Sequence, residues 1–227
     1  MNSKWVVRLP ALIGAFFPVY AFAKGPGDNS APTNNSTGQQ IAAYAFHHGI
    51  PGSVWVIELW AFVSVVVFTL VLYSRLRPAE PRSAIAARVA VAAAAVAIAI
   101  KLGSFPATYA LYTSPVQLDP GLARTLSVIG DFSFVVSMSV MALSLGAVGM
   151  SGLLHGGIPR WLAATAGVIA VAMVLGYTFD NGGNLQVVPT LAWFVWLFVA
   201  SLTLYVQGPR EVTEGKSLPA VLSASPV

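Results

Sequence analysis

Six stretches of nearly unbroken apolar residues divide this chain, at 9–23, 54–73, 85–105, 126–150, 161–179 and 189–206. Crossing the hydrocarbon core of a bilayer takes about 20 residues, with a range of about 17–25. Five of the six segments satisfy that requirement, and the first falls short of it. The pattern predicts an all-α fold, a polytopic transmembrane helical bundle of about six spans. Residues 54–206 form the bundle proper.

The first segment allows two readings. "MNSKWVVRLPALIGAFFPVYAFAKG" begins with Lys4 and Arg8, runs through a short apolar stretch and reaches the small-x-small triplet Ala21-Phe22-Ala23. That is the pattern of a signal peptide. It also suits a first transmembrane helix extended by Trp5, Val6 and Val7, with Arg8 reaching back to the interface. Residues 1–23 are therefore a first transmembrane helix or a signal peptide, and both readings leave the preceding residues cytoplasmic.

Alternation then places 24–53, 106–125 and 180–188 outside and 74–84, 151–160 and 207–227 inside. The basic residues test this independently. Lys4, Arg8, Arg75, Arg77, Arg82, Arg88, Arg160, Arg210 and Lys216 fall on the inner side, and only Lys24, Lys101 and Arg124 on the outer. Cytoplasmic loops carry the excess of Lys and Arg, so both termini are expected to be cytoplasmic. Residues 24–53, opening with "KGPGDNSAPTNNSTGQQ", are expected as a flexible extracytoplasmic loop because they hold little to bury. The tail 207–227 is expected to be disordered.

Composition sharpens the picture. Of 227 residues, 56% are hydrophobic and 9% charged, against about 25% charged in soluble domains. Mean hydropathy is +0.75. The formal charge of +4 serves orientation in the bilayer, and no nucleic-acid partner is expected. The absence of cysteine excludes disulfides, thiolate metal sites and iron–sulfur clusters.

One residue interrupts the third apolar run. From Val89 to Ile100 every side chain is apolar, and then Lys101 appears. At 100° per residue, Ala87, Ala90, Ala94 and Ala97 lie within about 40° of it. Small residues on one face let a neighbouring helix approach closely, so Lys101 ends a packing seam and faces protein. Pro106 is expected to end or kink this helix. Glu58 lies about one turn into the second span and Asp131 about one turn into the fourth. Alternating direction brings all three charges to a similar depth. An unpaired charge in hydrocarbon costs about 2.5–3.5 kcal/mol even on the lenient insertion scale. An intramembrane cluster Glu58–Lys101–Asp131 is one reading, and three side chains each snorkelling to the outer headgroups is the other.

Other chemistry is sparse. His47 and His48 point about 100° apart on a helix and cannot form a close-spaced ligand pair. H-E-x-x-H, G-x-S-x-G and Walker motifs are missing. Neither a catalytic residue, a metal site nor a cofactor is expected. Gly130, Ser133, Ser137 and Ser144 share one side of the fourth helix, where bonding across a helix interface is favoured over a polar path. Tyr177, Phe179, Trp193 and Trp196 suit the outer interface, where aromatic residues collect.

Three stretches carry a family likeness: "AYAFHHG" before the second span, "LDPGLARTLSVIGD" into the fourth and "GGIPRWLAATAGVIA" into the fifth. Through them the chain resembles a broad group of uncharacterised bacterial polytopic membrane proteins of the domain-of-unknown-function type. The likeness spans most of 40–180. It implies an uncleaved first helix, an inner interface at Arg160 and Trp161, and no known substrate or activity. It also leads one to expect an apolar residue where Lys101 stands.

The functional expectation is an integral membrane helical bundle of unassigned biochemical function, not an enzyme, in a bacterial inner or plasma membrane. Its surroundings are the lipid bilayer, and the sequence leaves open a membrane-protein partner or a homo-oligomer. One alternative is a small-solute carrier or channel using the charged pocket. Another is a membrane sensor subunit whose outer loops bind a ligand.

Overall fold

A computed structural model describes residues 9–24, 31–33, 35–76, 84–179 and 185–208. The expected disordered tail lies almost wholly outside the described residues, as do most of the glycine- and proline-rich residues 24–30. The described chain is built from α-helices, with no strand among the described residues. Helix α1 (Leu9–Ala23) is broken by one 3-10 turn at Ile13–Ala15. After it come α2 (Gly38–His47), α3 (Gly52–Leu76), α4 (Ile85–Gly103) and α5 (Phe105–Thr113). Helices α6 (Pro120–His155), α7 (Arg160–Phe179) and α8 (Val187–Gln207) complete the described residues. Among the described residues, five helical stretches are long and apolar enough to span a bilayer, with α4 and α5 acting as one, and α1 is a shorter apolar helix. This is an all-α polytopic membrane protein.

Helix α6 organises the bundle. Its 36 residues rise about 54 Å, far more than the roughly 30 Å of hydrocarbon. Helices α4 and α7 pack along it, α3 packs on α4, and α1 sits between α3 and α8. The alanine face of α4 is the seam foreseen from its spacing: Ala87, Ala90, Ala94 and Ala97 are all buried. Ser144 of α6 donates across that seam to the Ala90 carbonyl at 2.7 Å.

The turn between α6 and α7 explains why "HGGIPRW" stands out in the sequence. Gly156 and Gly157 have φ of +73° and +92°, a left-handed region that side chains disfavour. A Cβ on Gly157 would also strike the Arg75 carbonyl of α3. Ile158 then enters the core beside Gly152. At the same end Arg75 donates to the Gly208 carbonyl, tying α3 to α8.

The segments expected as outer loops contain more structure than their composition suggested. Thr37 accepts from the Gln40 backbone while the Gln40 side chain accepts from Thr37, a capping box that starts α2. Ile41, Ala42 and Ala45 of α2 are buried with Leu111 of α5 and Ala123 of α6 in a second, smaller core. Asp119 caps α6 by accepting from Gly121 and Leu122 at 2.9 and 3.1 Å, with Pro120 in the first turn, where its missing N–H costs nothing. Pro106 likewise sits in the first turn of α5, so the chain continues as helix past it.

Two of the aromatic residues expected at the interface belong elsewhere. Trp193 is buried against Phe17 at 5.5 Å between ring centres. Trp196 is buried and donates to the Leu162 carbonyl at 3.0 Å. Both lie on the face of α8 that meets α1 and α7, so packing rather than headgroups claims them. Phe179 is exposed.

Candidate functional site

The longer helices change the depth of every charge. Lys101 lies twelve residues before the end of α5 at Thr113, and Asp131 eleven after the start of α6 at Pro120, about 18 and 16 Å along their helices. Glu58 is six residues into α3, about 9 Å. The end of the molecule bearing α2 therefore rises above Lys101 and Asp131 as a helical layer.

Lys101 and Asp131 line one pocket of about 280 Å³, together with Thr108, Tyr112, Ser127 and Phe134. Local chemistry positions each charge. The Lys101 ammonium lies 5.6 Å from the centre of the Phe134 ring, within range of a cation–π attraction. Ser127, one turn before Asp131, donates to its carboxylate at 3.5 Å. Behind the pocket, Ser133 of α6 bonds Ser104 at 2.7 Å, and Ser104 donates to the Lys101 carbonyl at 2.8 Å. That chain of hydroxyls fixes α4 against α6 just where the lysine emerges.

Lys101 interacts electrostatically with both Glu58 and Asp131. Among the described residues, however, no carboxylate stands within 4.0 Å of its ammonium. Glu58 instead meets Lys24, at the end of α1, at 3.7 Å. Tyr20 of α1 also faces Glu58, with its hydroxyl buried beside the carboxylate. The three sequence-selected residues thus divide: Lys101 and Asp131 share a pocket, and Glu58 joins α1 to α3.

Asp131 faces a second recess as well, of about 250 Å³, lined also by Thr33, Arg124, Ser127 and Phe132. Arg124 donates to the Ser36 carbonyl, tying the segment before α2 to α6. Asp131 and Ser127 form the wall between the two spaces.

Sequence reasoning overlooked Lys24, Ser127 and Phe134. For the last two a signal existed: they stand four residues before and three after Asp131, on its side of the helix. Lys24 was legible as the outer end of an apolar segment, but its pairing with Glu58 requires α1 to lie beside α3.

No curated protein and no solved structure matches the chain. Residues 34–206 match the family described as a domain of unknown function, DUF4386. That match runs from the strap before α2 through the last turn of α8, taking in the pocket, its helical cover and the glycine turn at 156–157. The chain belongs to the DUF4386 family.

Proposed function

We propose that this is a non-enzymatic membrane protein that binds a small solute in the pocket between Lys101 and Asp131. The observation carrying the reading is that a cation and a carboxylate line one small space without pairing with each other. A ligand carrying both an acidic and a basic group would complete both. The pocket supplies charge, hydroxyls and an aromatic wall, and it lies towards the α2 end of the molecule. These are the means of recognition rather than of nucleophilic catalysis, which needs a nucleophile held by a base. On the arginine distribution that end faces outward, as a sensor of external solutes requires.

A carrier using the same pocket is the second reading, favoured by the recess beyond Asp131. It must open the seam below, where Ser144 bonds Ala90 and Gly149 abuts Ala163 and Gly167.

Purified protein is titrated with a panel of α-amino acids and betaines while its melting temperature is followed, and uptake is measured in liposomes. The expected result is saturable stabilisation by a zwitterion, weakened at least about tenfold by Lys101→Met or by Asp131→Asn, since removing one partner of a desolvated charge pair costs about 2–5 kcal/mol. Stabilisation without uptake supports the sensor, and both together support the carrier. A wild-type protein indifferent to the whole panel, or variants that respond as it does, overturns the proposal.

A further inference from the structure

Helices α4 and α7 both pack along α6 but make no comparable contact with each other. Between them the face of α6 is made of Ala142, Gly146 and Ala147, and the resulting groove has a volume of about 700 Å³. Its lining runs along α6 from Ser139 to His155, the last residue of that helix, and takes in Ile85, Ala86 and Val89 of the first turns of α4. The seventeen residues from Ser139 to His155 rise about 24 Å from first to last, more than the hydrocarbon depth of one leaflet, half of about 30 Å. The walls are apolar and face outward from the bundle: Leu143, Met150, Val171 and Val174 are each at least half exposed.

Shape restricts what fills this space. A transmembrane helix with side chains is at least about 10 Å across, so 24 Å of it would occupy roughly 1,900 Å³. The groove accommodates an extended hydrocarbon chain far better than a helix. Charge restricts the occupant further. His155 lines the groove where α6 ends; Arg88, next to the lining residue Val89 on the first turn of α4, and Arg160, at the start of α7, stand at the same end of their helices, and all three are exposed. The carboxylates of the described residues, Glu58, Asp119 and Asp131, all belong to the opposite end. A basic pocket between transmembrane helices at the cytoplasmic side suits an anionic headgroup.

From the groove and its cationic end we infer a binding site for one anionic phospholipid, with an acyl chain along α6 and the phosphate among Arg88, His155 and Arg160. The site is separate from the Lys101–Asp131 pocket and stands or falls without it.

The test compares retention of phosphatidylglycerol and phosphatidylcholine of matched chains by the purified full-length protein, read by native mass spectrometry. Wild type is expected to retain phosphatidylglycerol at least tenfold better. Double substitution Arg88→Gln with Arg160→Gln is expected to abolish that preference. Filling the groove with Gly146→Leu is expected to remove the bound lipid altogether. A Cβ at 146 meets only the Ala170 Cβ, at 3.6 Å, so the new side chain has room to project into the groove. Should that variant fail to fold, Val171→Trp on the exposed wall blocks the same channel without touching the α6 floor. Equal retention of the two lipids by wild type overturns the inference. So does undiminished phosphatidylglycerol binding in the filled variant, or a dimer that disappears on filling, which would assign the groove to a second copy.

Discussion

Replacing Gly149 by alanine adds one methyl group at the closest approach of α6 and α7. An added Cβ there would lie 2.8 Å from the Ala163 carbonyl oxygen and 2.9 Å from the Gly167 nitrogen, where ordinary contact begins at 3.4 Å. Both neighbours are backbone, so no side chain can rotate away. Helix α7 must retreat by about 0.6 Å. A gap of that order forfeits a quarter to a half of each dispersion well it opens, and some tens of atom pairs at about 0.1–0.2 kcal/mol each make the loss about 1–2 kcal/mol. Residual strain takes the expected destabilisation to about 1–3 kcal/mol. Gly146→Ala, one turn earlier, is the internal control. Its Cβ meets the Ala170 Cβ at 3.6 Å, ordinary contact, and alanine's helical preference over glycine is worth about 0.5–1 kcal/mol in a helix interior. Reversible unfolding in bicelles should therefore show Gly149→Ala clearly weaker than wild type and Gly146→Ala equal or stronger. Two alanine variants of equal stability would refute the claim that backbone proximity, rather than glycine content, shapes this seam.

Two further substitutions probe the other ends of the architecture. Ser144→Ala removes the hydroxyl that donates to the Ala90 carbonyl; such bonds between membrane helices average about 0.6 kcal/mol, and the same unfolding assay should register a loss of that size. Thr37→Ala dismantles the capping box of α2, a change worth about 0.5–2 kcal/mol. Hydrogen exchange should speed up across Gly38–His47 and leave α7 untouched.

Residues 24–53 show how composition and packing divide the work. Their glycines, prolines and asparagines suggested a loop, yet a helix starts at Gly38 and the polar run stops at Gln40. From there Ile41, Ala42 and Ala45 find Leu111 and Ala123 across the top of the bundle. Nothing in the segment alone announces those partners. Pro106 was legible as a helix interruption, but whether the chain turns away or restarts depends on Leu111 having a core to enter. The serines of α6 were read correctly as bonding across an interface for Ser133 and Ser144, while Ser137 bonds within its own helix.

Hydropathy and spacing by themselves determined that this chain is an all-α membrane bundle. They also determined which face of α4 is small enough to be buried, and that three ionisable residues break the apolar spans towards one end. Those properties follow from each segment's own residues, because bilayer depth and helical phase are set along a single helix. Which charges meet was decided by the tertiary structure. Placing α1 beside α3 hands Glu58 to Lys24, and seating α4 on α6 puts Lys101 and Asp131 around one pocket. The same arrangement buries Trp193 and Trp196 and leaves a groove between α4 and α7. Neighbour relations of this kind depend on the lateral order of helices. In hydrocarbon that order is chosen by close packing between helices rather than by the apolar character they all share.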